Sequence, residues 1–242
     1  MSHKKIDAIH LTDELNESIA KKTSDLITIL KSVYQEFPDI LFASSLGAED
    51  MVIHHAIYKS NLSIEIFTLD TGRLPEETYQ LFDITKTMYQ QNIKVFCPDN
   101  YAIESYIEKN GMNAFYDSLE MRKQCCHIRK VEPLKRALKG KSAWLTGMRS
   151  EQATSRQTLS IREFDEGNGM EKINPLIDWK ESEVWAYIKL HQVPYNKLHD
   201  QFYPSIGCAP CTRAVSVGED IRAGRWWWEN PENKECGLHI KG

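Results

Sequence analysis

An apolar run, a turn of small residues and a helix-spaced stretch follow one another twice between residues 39 and 90. "DILFASSLGAEDMVIHHAIYKS" is the first instance, and "LSIEIFTLDTGRLPEETYQLFDITKTMYQ" is the second. Pro75 and the acidic pair Glu76 and Glu77 suit the opening turn of the second helix. "NIKVFCP" reads as a third strand and "SAWLTGM" as a fourth. Ahead of them, Leu26, Ile27, Leu30 and Val33 recur at helical spacing. "CCHIRKVEPLKRALKG" is helix-like with Gly140 as its stop, and "ESEVWAYIKLHQ" is a further helix. Strands alternating with helices predict an α/β fold, an open, mostly parallel sheet with helices on both faces. Ligands of such folds bind beyond the carboxyl ends of the strands. The last fifty residues lose the alternation. They carry three consecutive tryptophans and half the cysteines, and read as an irregular segment folded across the active face.

Composition changes this picture little. In 242 residues, 41% are hydrophobic and 26% charged, as in an ordinary globular protein. The formal net charge of -4 gives no reason to expect nucleic acid or an anionic membrane as partner. No run approaches the roughly 20 apolar residues of a membrane span. The polar N-terminus lacks the apolar core of a secretory signal, so a cytoplasmic location is expected. No linker or repeat divides the chain. It reads as one domain over residues 1–242, with a core of about 40–200 and a C-terminal segment of about 200–242. The sequence leaves homo-oligomerisation open.

Three loops fall at predicted strand ends. "SSLGAED" follows a strand and opens a helix, where small residues and a helix N-terminus favour a phosphate. It lacks both the Walker pattern and the dinucleotide fingerprint, so an ordinary tight turn around Gly47 fits equally well. Glu49 and Asp50 read as first-turn acids that favour the helix dipole. His54 and His55 read as packing or surface residues. "TLDTG", from Thr68 through Asp70 to Gly72, offers backbone groups that could read an adenine edge. "TGMR" ends the fourth strand with Arg149.

Six cysteines in a reducing compartment point to metal or redox chemistry rather than structural disulfides. Cys125 and Cys126 are adjacent, whereas Cys208 and Cys211 form a Cys-x-x-Cys turn. Zinc, an iron–sulfur cluster and a redox dithiol are all open, although zinc ligands are usually two to four residues apart. Cys97, at a strand end, is expected to be a buried structural thiol. Arg129, Lys130, Arg149, Arg156, Arg162, Arg213, Arg222 and Arg225 bias the C-terminal half toward an anion site, with solvated surface charge as the alternative. At least two of the three tryptophans in "RWWWE" are expected in core or lid packing, with an aromatic docking face for a partner protein as the alternative.

Taken in order, "SSLGAED", "TLDTG", "CCHIRKVEPL", "TGMRSEQATSRQ", "INPLIDW", "GCAPCTR", "GEDIRAGRWWWE" and "KECGLH" resemble the assimilatory adenylyl-sulfate reductases of the adenylyl-sulfate/phosphoadenylyl-sulfate reductase family. The resemblance runs from about residue 40 to 240. It implies a nucleotide α-hydrolase-like fold and a [4Fe–4S] cluster on Cys125, Cys126, Cys208 and Cys211. Family members specific for the 3'-phosphorylated substrate typically lack both cysteine pairs, so adenosine 5'-phosphosulfate is the expected substrate. The phosphorylated substrate, or use of both, is the alternative within the family. A sulfurtransferase with a related pyrophosphate loop is more distant. Several relatives place serine before the loop glycine where this chain has Leu46. Ser44 and Ser45 then remain as hydroxyl donors to the substrate.

By the same resemblance, Cys236 of "KECGLH" is the nucleophile. It attacks the sulfur of the substrate, forms an S-sulfo-cysteine and releases AMP; thioredoxin or glutaredoxin then releases sulfite. Lys130, Arg222 and Arg225 are expected to flank the phosphosulfate. His239 reads either as orienting the tail or the substrate or as a surface residue near the chain end. The tail that carries Cys236 is expected to close over the nucleotide and then present the sulfonated cysteine to the second protein.

Overall fold

Strand residues of alternating parity feed two helical layers. In the computed structural model, which describes residues 4–152 and 159–230, β1 (Leu41–Ala43), β2 (Glu65–Leu69), β3 (Ile93–Phe96) and β4 (Ala143–Leu145) are the four expected strands. Two more, β5 (Arg162–Asp165) and β6 (Met170–Ile173), complete a sheet of order β3-β2-β1-β4-β6-β5. All neighbours pair in parallel except β5, which runs antiparallel to β6 at the edge.

The helices are α1 (Asp13–Glu36), α2 (Ala48–Lys59), α3 (Glu76–Tyr89), α4 (Asn100–Asn110), α5 (Leu119–Cys126), α6 (Glu132–Leu138) and α7 (Glu181–His191). Phe42, Ile66 and Leu145 point into a core shared with Leu30 of α1, Val52 of α2 and Trp185 of α7. Leu41, Phe67 and Trp144 point the other way, onto Leu134, Ala137 and Leu138 of α6. Both faces of the central strands are therefore apolar, as a parallel sheet requires. Each such fully buried side chain contributes about 1.5–3 kcal/mol.

Local signals account for several helix ends. Thr12 caps α1 by accepting from the Leu15 N–H at 3.2 Å. Pro75 precedes α3, with Glu76 and Glu77 in its first turn. Gly140, at φ +76°, follows α6 where a left-handed residue is needed. No helix among the described residues is long and apolar enough to cross a membrane.

The β5–β6 hairpin was not expected from the patterning. Its strands are four residues each, and the edge strand leaves Phe164 60% exposed. Its turn spans four residues and ends on Gly169 at φ +67°. Residues 197–230 are mostly irregular, as expected. They contain short turns at Lys197–Gln201 and Ala209–Cys211 and a single bridge, Thr212 to Arg225. Cys97 is exposed, contrary to the expectation of a buried thiol, because the edge strand β3 ends at Phe96 and leaves it in the following loop.

Candidate active site

Strand order reverses at β1, between β2 and β4, and a cavity of about 270 Å³ opens there at the strand carboxyl ends. Its inner end is apolar, with Phe67, Leu69, Leu134 and Trp144. The irregular segment closes the outer side with Pro204–Gly207, Ile221, Arg222 and Arg225. Ser44, Ser45, Gly47, Thr68, Lys130, Arg149, Arg222 and Arg225 all line this one space. The structure thus brings together eight residues that the sequence singled out from five separate motifs.

Within the "SSLGAED" loop the two serine hydroxyls are engaged by the protein itself. His54 Nδ1 lies 3.0 Å from the Gln91 amide oxygen, so that nitrogen carries the proton. His54 Nε2 then accepts from the Ser44 hydroxyl at 2.9 Å. Burial keeps this histidine neutral, with its pKa pushed down to about 4. Ser45 donates both its N–H and its hydroxyl to Asp50 Oδ2, at 2.6 and 2.7 Å. Both serine hydroxyls are thus oriented from within the protein, Ser44 by His54 and Ser45 by Asp50.

Asp50 and Glu49 do more than complement a helix dipole. Burial raises the Asp50 carboxyl to about 6, even though the Ser45 bonds favour its ionised form. Gly147 packs directly against it, and a Cβ there would lie 2.1 Å from Asp50 Oδ1. Gly47 has φ -70°, so no conformational demand fixes glycine at that position. Leu46 carries the strain of the loop, buried at φ +59°.

The cations divide into two kinds. Arg149 lines the cavity but is tied to acids, with Nε 2.8 Å from Glu49 Oε1 and Nη1 3.0 Å from Glu151 Oε2. Arg225 instead bonds neutral acceptors, through Nη1 to Ser205 Oγ and the Ile206 carbonyl, and its buried Nε has no partner among the described residues. Gly207 permits this approach, since a Cβ there would meet Arg225 Nη2 at 2.4 Å. Asp70 does not line the cavity. Its carboxylate accepts from the Gly72 N–H and the Tyr79 hydroxyl, both at 2.8 Å.

Next to the basic end, Cys125, Cys126, Cys208 and Cys211 line a second, smaller cavity together with Arg73, Arg122, Arg129 and Lys130. Cys125 and Cys126 end α5, and a single π turn, His127–Val131, joins α5 to α6. Pro133 explains the turn. It has no N–H for the Arg129 carbonyl four residues back, and widening the helix accommodates the loss. Lys130, on that turn, lines both cavities. Arg129 turns inward and donates to the Thr71 carbonyl, while the Thr71 hydroxyl lies 3.3 Å from Cys208 Sγ.

Burial pushes the Cys211 thiol up to about 12, and the neighbouring Cys208 adds to the shift, while Lys130 opposes it. Burial raises Cys125 as well, against Arg129. Two such buried thiols become thiolates only with positive charge close by. Among the described residues no group of three or more His, Cys, Asp or Glu is placed to hold one metal ion. The four cysteines nonetheless share one small cavity, lined by four cationic side chains.

Trp226 is buried between these two regions, with the Arg122 and Arg225 guanidinium carbons 4.7 and 4.8 Å from its ring. Trp228 packs on Phe115 and Tyr116, and Trp227 is 48% exposed. Two of the three tryptophans are therefore in packing roles. Cys236, His239 and Arg156 lie outside the described residues. Glu181, Trp185 and His199 also line the main cavity, and no motif marked them.

Comparison with known proteins agrees with this arrangement. The family described as phosphoadenosine phosphosulfate reductase domain matches residues 39–214. Adenosine 5'-phosphosulfate reductase from Allochromatium vinosum is 56% identical, covering 92% of this chain and 87% of the relative. The Neisseria meningitidis serogroup A protein of the same name is 53% identical, covering 92% and 91%. Among solved structures, the phosphoadenylyl-sulfate reductase of Candida auris superposes with a TM-score of 0.69 at 29% identity, covering 86% of this chain and 99% of that one. Candida glabrata FMN adenylyltransferase, with TM-score 0.60 at 13% identity over 95% and 78% of the two chains, shares the fold.

Proposed function

The chain belongs to the phosphoadenosine phosphosulfate reductase family, and from that membership we infer that it acts as an adenosine 5'-phosphosulfate reductase through a cysteine of its own tail. The reaction is a reductive step of sulfate assimilation. The observation that carries the reading to the residue level is the position of Lys130. It lines both the nucleotide cavity and the four-thiol cavity, and Arg222 and Arg225 line the nucleotide cavity with it.

The apolar slot of Phe67, Leu69, Leu134 and Trp144 suits an adenine base, and the basic end suits the phosphosulfate. The thiolate of Cys236 attacks the sulfuryl sulfur. A sulfur–sulfur bond forms, the sulfur–oxygen bond to phosphate breaks, and AMP leaves with the electron pair. Lys130, Arg222 and Arg225 offset the negative charge that gathers on the departing phosphate oxygen. Each such contact stabilises the transition state by about 2–4 kcal/mol, by analogy with oxyanion-hole donors. A dithiol protein, thioredoxin or glutaredoxin, then attacks Cys236 Sγ and expels sulfite. Its second thiol resolves the mixed disulfide and returns Cys236 to the thiol, so the two electrons come from the dithiol.

Cys125, Cys126, Cys208 and Cys211 are the residues that would hold a [4Fe–4S] cluster. The surrounding Arg73, Arg122, Arg129 and Lys130 supply the positive charge that a group bearing four thiolates requires. When bound, the cluster would fix the turn that carries Lys130 and shape the field beside the phosphosulfate.

Two assays test this reading. With reduced thioredoxin, the wild type should release sulfite from adenosine 5'-phosphosulfate faster than from its 3'-phosphorylated analogue, and Cys236→Ser should release none. Iron and acid-labile sulfide should be present in equal amounts, about four of each per chain. A colourless zinc protein would refute the cofactor assignment.

A further inference from the structure

The third tryptophan of "RWWWE" has no part in the packing described above. Trp227 is 48% exposed, and its ring meets the half-buried Trp228 edge-on at 5.6 Å. Trp228 in turn meets Tyr116 edge-on at 4.4 Å. Tyr116 is 40% exposed and donates its hydroxyl to the Pro210 carbonyl at 2.6 Å, one residue before Cys211. The three rings therefore run on from one another as one partly exposed aromatic surface beside the four-thiol cavity.

The charges next to these rings are already engaged. Arg122 is paired with Glu229. Arg73 donates to Asn113 Oδ1 and to the Met112 carbonyl, and its guanidinium lies over Phe115. An aromatic surface without free charge gives no hold to an anionic nucleotide. It has the character of the centre of a protein–protein contact, where Trp and Tyr are enriched and charged residues are depleted.

The chain itself says which protein must come here. Cys236 follows Asn230 by six residues, so covalent geometry keeps it within about 20 Å of Asn230. A dithiol protein of about 100 residues has a radius of gyration of about 13 Å and is wider than that tether. When it attacks Cys236, it rests on surface around the root of the tail, and Trp227 and Trp228 are at that root. Redox encounters use small interfaces, so a few aromatic anchors suffice.

We propose that Trp227, with Trp228 and Tyr116, is the surface on which thioredoxin docks while its dithiol reaches Cys236. This rests on the functional reading above and adds to it where the reductant binds. Of the two dithiol proteins named there, thioredoxin is the stronger reductant.

Kinetics of the full-length holoenzyme test the proposal. Trp227→Ser should lower kcat/KM for thioredoxin about tenfold, the effect of losing one aromatic anchor. Trp227→Phe, which keeps a ring, should recover most of it. Sulfite release driven by dithiothreitol, which needs no docking surface, should be unchanged, as should transfer of the labelled sulfuryl group to Cys236 without reductant. A further measurement needs no variant of this chain. Thioredoxin with its second cysteine replaced by serine, trapped on wild-type Cys236 as a mixed disulfide, should shield Trp227 from hydroxyl-radical oxidation. The proposal is overturned if Trp227→Ser leaves kcat/KM for thioredoxin unchanged, if it lowers dithiothreitol-driven turnover by the same factor, or if trapped thioredoxin leaves Trp227 as reactive as before. It is overturned equally if Trp227→Ser slows label transfer, which assigns the rings to the tail, or dissociates a wild-type dimer in sedimentation, which assigns them to a second copy. Turnover with glutaredoxin alone also overturns it. A wild type that takes no label overturns the functional reading instead.

Discussion

Arg122 and Glu229 form a two-pronged ion pair, with Nε–Oε1 at 2.9 Å and Nη2–Oε2 at 2.8 Å, between α5 and the last described stretch of the chain. The two side chains are 1% and 7% exposed. The pair ties the helix that ends in Cys125 and Cys126 to the segment that leads toward Cys236. Removing one partner strands a buried charge, which typically costs about 3–5 kcal/mol. Arg122→Ala should therefore lower unfolding stability by about that much. Arg122→Met combined with Glu229→Leu should recover most of the loss in urea denaturation.

Lys130 offers a sharper functional test, because it faces both cavities. Lys130→Ala should reduce turnover about a hundredfold, the scale expected for one charge-stabilising contact. Iron and sulfide should be measured on the same preparation. Near-normal turnover with iron retained would remove the proposed link between the thiol cavity and the nucleotide.

The two glycines of the cavity rim should behave differently. Gly147→Ala drives a methyl into Asp50, which Ser45 holds in place, and should cost about 1–3 kcal/mol of stability as overpacking does. Gly47→Ala meets nothing nearer than 3.4 Å and keeps an ordinary φ, so its stability should change by less than about 1 kcal/mol. Thermal unfolding of the two variants compares them directly.

Acid should weaken the fold over a defined window. His54 and His55 are held down to about 4 in the folded chain, chiefly by burial, against an unfolded value of 6.5. Their contribution is complete above about pH 6.5 and is lost as pH falls toward 4. Asp50, raised to about 6, works in the opposite sense: its contribution is complete below its unfolded value of 3.8 and is lost as pH rises through 6. Two histidines outweigh one carboxyl, so the urea midpoint at pH 5 should lie below that at pH 7.5. His55→Phe should flatten the difference.

The alternation of apolar runs and helical stretches was enough to place four strands and the cavity they open onto. The β5–β6 hairpin escaped because an edge strand of four residues, with Phe164 facing outward, carries almost no periodic signal. The π turn under Lys130 escaped because it depends on the hydrogen bond that Pro133 fails to make, which residue spacing does not display. Motif reading recognised Ser44 and Ser45 as loop residues but not their partners, His54 and Asp50, which the fold supplies. His199 was invisible for the same reason, since an irregular turn positions it and no repeat or spacing marks it.

The central claim is that Cys236 takes the sulfuryl group. The direct measurement is incubation with adenosine 5'-phosphosulfate labelled at sulfur, without reductant, followed by denaturing gel electrophoresis. The account predicts label bound covalently to the wild type, discharged as sulfite by reduced thioredoxin, and absent from Cys236→Ser. Label on Cys236→Ser, or an unlabelled wild type that still yields sulfite once thioredoxin is added, would contradict it.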